Sequence, residues 1–285
     1  MLSYQHQYHA GNFADVHKHL ILRVLFESLL KKEKPFNYID CHAGSGLYDL
    51  ESREARKTAE RTNGIDQLWL EKRNNKTVQS YLDAIRGLNP NDKLRYYPGS
   101  PKLAELWLRE QDKAQLIELH PKAQNDLRRI FTRDKRISLH SRDCYEGLPA
   151  IIPPQIKRGL VLLDPSYEEK NEYNDIVDLV IQSEARWSTA IYAIWYPMLT
   201  ANRHQYLIDA LKRSSLEKVL VSEITINDFD HQKDEEQFAG MYGSGMAIIN
   251  TPWQVDERLE ELLPSVAQAF SSDYGKSQLS WLKTE

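Results

Sequence analysis

The sequence predicts an α/β protein built around a mainly parallel sheet. Three observations carry this. Short apolar runs of strand length alternate with longer stretches of helical period, the rhythm of βα units. Several of these runs end on an acid or a glycine loop. One of them, Val161-Leu162-Leu163, stops at Asp164-Pro165-Ser166-Tyr167, where a proline ends sheet pairing as the acid appears. In such sheets ligands bind beyond the carboxyl ends of the strands, so Asp164 and Tyr167 are expected to overlook a site.

The elements follow in order. A helix is expected from Asn12 or Ala14 to about Lys32, with Val16, Leu20, Val24 and Leu25 at helical spacing and Asn12 as a possible cap. Strands are expected at 36–41, 114–119, 137–140, 159–163, 190–195, 218–226 and 246–249, each rich in β-branched or aromatic residues. Connecting helices are expected at 121–132, 144–151 and 175–188. The interval 49–96 breaks the rhythm: it is polar, carries helical segments at 65–71 and 77–88, and is longer than an ordinary βα connection. The expected division is therefore a main domain from 1–48 and 97–285, with 49–96 as a small inserted helical subdomain.

At 285 residues the chain can bury a full core. The opening MLSYQHQYHAGN has no apolar stretch, so a secretory signal is not expected. The longest apolar runs, such as 191–195, are too short to span a membrane. Cys41 and Cys144 form no paired metal motif, which suits a reduced, cytoplasmic protein. A net charge of −4 gives no overall attraction to nucleic acid. Locally, Lys72, Arg73, Lys76, Arg86, Lys93, Arg95 and Lys102 face only Asp83 and Asp92, which is either a phosphate footprint or a solvated helix face.

Four strand ends carry the chemistry. The first gives Asp40-Cys41-His42-Ala43-Gly44-Ser45-Gly46, where glycines let backbone approach a ligand. The second ends at Glu118, the position from which an acid grips ribose hydroxyls. The third ends at Asp143, where an acid can accept from an adenine amine, and the fourth at Asp164. Each has a plainer reading: a turn, a surface acid, a helix cap, a strand exit. Their order on consecutive strands matches S-adenosylmethionine-dependent methyltransferases, a Rossmann-like fold with a seven-stranded, mostly parallel sheet.

The resemblance is closer than a superfamily. The opening block from Met1-Leu2-Ser3-Tyr4 through Asp15-Val16-His17-Lys18-His19, the stretch Tyr38 to Tyr48, Tyr97-Pro98-Gly99-Ser100-Pro101 and Met241-Tyr242-Gly243-Ser244-Gly245-Met246 resemble the RlmJ family. These are bacterial 23S ribosomal RNA adenine-N6 methyltransferases. The resemblance implies that His19, His42, Gly44, Ser100, Glu118, Asp143, Cys144 and Asp164 border the methyl donor. It implies a role in activity for Lys18, substrate engagement by Tyr4 and His6, and Asp164 as catalytic acceptor. It implies 23S ribosomal RNA as partner, S-adenosylmethionine as cofactor, no metal, and a cytoplasmic monomer without an obligate protein partner. Apart from the family, His6, His9, His17 and His19 would raise a metal cluster, but their spacing matches no zinc motif.

One position departs from the usual Asp-Pro-Pro-aromatic motif, since Ser166 replaces the second proline. The expected chemistry has Asp164 and the Pro165 carbonyl accepting both hydrogens of the adenine amine while Tyr167 stacks on the base. A paired base would have to be flipped out to reach them. DNA adenine or a protein glutamine amide are rival substrates for such a motif, and a binding module that has lost catalysis is a third reading.

Overall fold

The computed structural model describes residues 6–70, 75–91, 93–227 and 240–284. The chain opens with α1 (Phe13–Leu30), capped by Asn12, whose side chain accepts from the Asp15 amide at 2.9 Å. Then come β1 (Asn37–Asp40), β2 (Leu47–Asp49), α2 (Arg53–Thr58), α3 (Ile65–Trp69), α4 (Lys76–Gly87) and β3 (Tyr96–Pro98). The α/β alternation follows with α5 (Ser100–Trp107), β4 (Lys113–Glu118), α6 (Pro121–Phe131), β5 (Ile137–Ser141), α7 (Cys144–Ile151), β6 (Gly159–Leu163), α8 (Glu172–Arg186), β7 (Ala190–Leu199) and α9 (His204–Arg213). The chain closes with β8 (Val219–Thr225), β9 (Met241–Ile249), α10 (Val255–Phe270) and β10 (Lys276–Lys283).

The main sheet runs β10-β8-β9-β7-β6-β1-β4-β5. β5, β4, β1, β6 and β7 are parallel, and β9, β8 and β10 add on antiparallel. β1 lies between β4 and β6, so the chain winds outward to one side and then crosses back to the other. Such a switch point opens a crevice at the carboxyl ends of β1, β4 and β6.

Alternation along the strands builds a core on each face. Leu160 and Leu162 join α1, α4 and α10 on one side. Val161 and Leu163 join α7, α8 and α9 on the other. Both faces of β6 are thus dry, which is why the strand reads as a continuous apolar run. Truncating a fully buried side chain such as Leu162 to alanine costs about 2–5 kcal/mol.

Three features depart from the sequence expectation. The main sheet has an eighth strand, β10, because its half-exposed polar alternation with a lysine at each end marks a protected edge rather than a core strand. β7 runs on through Pro197 to Leu199, and β9 begins at Met241 rather than 246. Pairing with β6 ends at Ile194, so the proline falls where β7 lacks a neighbour on that side. Gly245 is required opposite, since a Cβ there would lie 2.1 Å from the Tyr196 ring.

β2 pairs antiparallel with β3, Tyr48 opposite Tyr97, and α4 between them lies along α1, the Thr77 hydroxyl donating to Glu27 Oε2 at 3.1 Å and Tyr81 against His19. The Ile65 amide donates to the Gly11 carbonyl at 2.9 Å, and Ile65, Leu68, Val78, Tyr81 and Ile85 share the apolar cluster of α1. Among the described residues no helix is long and apolar enough to cross a membrane.

Candidate active site

A cavity opens at the switch point. Lys18, His19, His42, Gly44, Ser100, Glu118, Asp143, Cys144 and Asp164 all line it. The backbone sets its floor. Gly44 sits at φ +61°, and a Cβ there would meet the Tyr48 hydroxyl at 2.5 Å. Its amide, freed to turn inward, donates to Glu118 Oε2 at 2.7 Å, while the His120 amide donates to Oε1 at 2.6 Å. Two backbone N–H groups thus fix the Glu118 carboxylate beside the cavity.

Asp143 does two things at once. It caps α7, accepting from the Tyr145 amide at 2.9 Å, and it lines the cavity. Cys144 follows it into the helix; burial, then the Asp143 charge, pushes its thiol up, so it is an inert lining group rather than a nucleophile. Ser100 begins α5, and its hydroxyl reaches Asp40, which also accepts from the Tyr38 hydroxyl at 2.7 Å. Asp40 is fully buried, and burial pushes its carboxyl up to about 6 despite these bonds.

The reactive end centres on Lys18. Its ammonium lies 2.5 Å from Asp164 Oδ2 and 2.9 Å from Asp15 Oδ1, and it is almost wholly buried. Burial alone would lower it, but the two carboxylates outweigh that and hold it well above its ordinary value. The Asp164 amide donates to His42 Nδ1 at 3.1 Å, so that ring is neutral, and burial lowers His42 to about 4. His19 Nδ1 pairs with the Tyr97 hydroxyl at 2.9 Å, and Tyr97 with the Tyr81 hydroxyl at 2.8 Å.

Tyr167 is placed otherwise than expected. Its backbone is left-handed at φ +54°, its ring stacks on Tyr173 at 4.3 Å, and its hydroxyl donates to the Trp195 carbonyl at 2.6 Å. The ring is buried in the apolar cluster under α8 and does not line the cavity. An aromatic ring buries most area there, so packing against Tyr173 holds it in the apolar cluster. Pro165 is buried beside it, while Ser166 lines the cavity.

Tyr4 lies outside the described residues, and so does the side chain of His6, whose backbone opens a short turn at His6–Tyr8. The remaining N-terminal histidines are dispersed: His9 pairs with Glu60, and His17 sits between Ser244 and Ser222 at 3.0 and 3.2 Å. The basic run is largely compensated. Lys93 pairs with Glu51, Arg95 with Asp49, Lys102 with Glu105 and Arg86 with Asp83; Lys72 and Arg73 lie outside the described residues.

Sequence reasoning missed Asp15, Tyr48, Tyr145 and Glu172. Asp15 was open to discovery, because it stands three and four residues before Lys18 and His19 on one helix face. Tyr145 and Glu172 carried no motif; only the crossing of α7 and α8 brings them to the cavity.

The chain is similar to known proteins over its whole length. The family model described as "Ribosomal RNA large subunit methyltransferase D, RlmJ" matches residues 33–283. Ribosomal RNA large subunit methyltransferase J of Escherichia coli is 38% identical over 287 aligned residues, covering 100% of both chains. The protein of the same name from Haemophilus influenzae is also 38% identical, with the same coverage. A crystal structure of a Legionella pneumophila protein superposes with a TM-score of 0.85 at 34% identity, covering 95% of this chain and 98% of that one.

Proposed function

From the premise that this chain belongs to the RlmJ family of large-subunit ribosomal RNA methyltransferases, we propose that it methylates the N6 amine of an adenine in 23S ribosomal RNA. The observation that carries the residue assignment is the convergence of Gly44, Glu118, Asp143 and Asp164 on one cavity at the switch point. The methyl donor is S-adenosylmethionine, which when bound supplies an electrophilic methyl group. The residues present fit it. The side-chain-free floor at Gly44 admits its close approach, and Glu118, locked by two amides, suits paired ribose hydroxyls. Asp143 stands ready for an exocyclic amine.

The adenine amine is a poor nucleophile, because its lone pair is delocalised into the ring. Asp164 and the Pro165 carbonyl accept its two hydrogens and favour a pyramidal nitrogen. Acceptors fixed where positive charge develops stabilise the transition state. Lys18 holds Oδ2 of Asp164 and leaves Oδ1 for the amine. Asp164 then takes the proton that the nitrogen loses. Stacking of the base on Tyr167 requires the ring to leave Tyr173, so the loop after β6 must rearrange as the base enters. We read the chain as a monomer acting in the cytoplasm, where ribosomal RNA is made. The segment 49–96 is read as an inserted helical subdomain.

The test offers unmodified 23S ribosomal RNA, DNA of matching sequence and protein extract in parallel, with labelled donor and mass spectrometry of the product. N6-methyladenine in the RNA alone is expected. Asp164→Ala should lower the rate by about 10²–10⁴-fold while still binding donor. Methylation of DNA or of a protein amide in preference to RNA would overturn the substrate, and an active Asp164→Ala would overturn the catalytic assignment.

A further inference from the structure

Two polar residues at the cavity are left unused by the mechanism, and they lie near each other. Tyr145 on α7 and Glu172 on α8 both line the cavity. The Tyr145 hydroxyl and Glu172 Oε2 are buried atoms with no hydrogen-bond partner. Two orphaned polar atoms at one cavity wall are costly, and such groups in a folded protein call for a ligand or water. Burial, reinforced by the charges of Glu168 and Asp143, also pushes the Glu172 carboxyl up to about 7.

The ligand's orientation follows from the residues already placed. Gly44 marks the close-approach end and Glu118 the ribose, so the base must lie toward Asp143 and Cys144. Asp143 accepts from the Tyr145 amide through Oδ1 and still has an oxygen to take one amine hydrogen, while the other hydrogen of the amine points away from it. A donor adenine presents a second amine hydrogen and, beside it, ring nitrogen N7 as an acceptor. One acceptor and one donor are needed on that edge. We infer that Glu172 accepts from the second amine hydrogen of the donor's adenine and that the Tyr145 hydroxyl donates to its N7, so that α7 and α8 together read this edge of the purine. The inference rests on the donor reading above and adds two specificity residues to it.

Calorimetry with S-adenosylhomocysteine, its 7-deaza analogue and its inosine analogue tests this on the intact chain. Wild-type protein is expected to bind the 7-deaza analogue about tenfold more weakly, the worth of one buried hydrogen bond. Tyr145→Phe should bind it and the parent ligand equally. Glu172→Leu should narrow the preference for the amine over the inosine analogue, and Glu172→Gln, whose amide oxygen still accepts, should restore it. Tyr145→Phe with the wild-type discrimination intact would overturn the Tyr145 contact, and Glu172→Leu with an unchanged amine preference would overturn the other. Uniform weakening of all three ligands marks a merely structural role and overturns both. Wild-type protein that binds no S-adenosylhomocysteine would instead overturn the donor reading beneath them.

Discussion

Lys18 Nζ lies 2.5 Å from Asp164 Oδ2, tying the first helix to the end of the fourth parallel strand. Asp15 shares the same ammonium at 2.9 Å. One buried cation therefore serves two carboxylates, and the two acids repel each other without it.

Lys18→Met should accordingly cost both rate and stability. Removing the cation leaves two buried carboxylates facing each other, so stability should fall by about 3–5 kcal/mol. With Oδ2 of Asp164 no longer held, the single-turnover rate should fall as well, while S-adenosylhomocysteine still binds. Urea denaturation and single-turnover rates check the two effects. A variant as stable as wild type would mean that Lys18 does not hold the two acids together.

Gly44 offers a separate test of the donor floor. At φ +61° a non-glycine residue costs about 1–2 kcal/mol. The added methyl also meets the Tyr48 hydroxyl at 2.5 Å, and relief of that clash pulls the Gly44 amide from Glu118. Gly44→Ala should weaken S-adenosylhomocysteine about tenfold or more, since each 1.4 kcal/mol is a factor of ten. Adding Tyr48→Phe removes the nearest clashing atom, and the next lies 3.8 Å away. The double variant should regain part of the affinity but not all, because the backbone strain remains. Calorimetry on the two variants decides it.

How much of this was legible in the sequence depends on the range of the interaction. The strand ends at Asp40, Glu118 and Asp164 announce themselves locally, because each acid follows a mostly apolar run, and Asp143 follows the alternating strand Ile137–Ser141. α1 is legible for the same reason, with Asn12 as its cap. The pairing of Tyr48 with Tyr97 spans residues 49–96 and leaves no local trace. Pro197 and Gly245 look like strand breakers in isolation; the missing β6 neighbour beside the one and the Tyr196 ring over the other accommodate them. The inward turn of Tyr167 is a packing choice between Tyr173 and solvent, which no motif encodes.

His17 should make stability sensitive to acid. It is fully buried between Ser244 and Ser222, and burial lowers it from 6.5 to about 3. Between those values the unfolded chain binds a proton that the folded one refuses, so acid favours unfolding. The contribution is complete above pH 6.5 and is lost as pH falls toward 3, at up to about 1.4 kcal/mol per pH unit. Asp40 and Glu172 act in the opposite sense, because their raised carboxyls hold protons in the folded state as pH rises past the unfolded values. The comparison must therefore be of slopes. Denaturant unfolding of wild type and His17→Gln at pH 4.5, 5.5 and 7 should give a shallower fall with acid in the variant. Parallel curves would show that His17 takes up its proton in the folded chain.

The basic run supplies the last prediction. Lys93, Arg95 and Lys102 face Glu51, Asp49 and Glu105 at 2.5, 2.9 and 2.5 Å, so their fields are largely cancelled before any phosphate arrives. Lys122 and Arg142 differ. Both are exposed, both line the cavity, and neither is in an ion pair among the described residues. A phosphate at the mouth would meet them first. Binding of single-stranded RNA weakens with salt at a logarithmic slope of about 0.7 per phosphate neutralised. Lys122→Gln and Arg142→Gln should each flatten that slope by about this amount, whereas Lys93→Gln with Arg95→Gln should leave it nearly unchanged. Fluorescence titrations across a range of salt concentrations read the slopes directly. If the paired lysine and arginine flatten the slope more than the cavity pair, the RNA crosses the inserted helices instead, and breaking those ion pairs is part of binding.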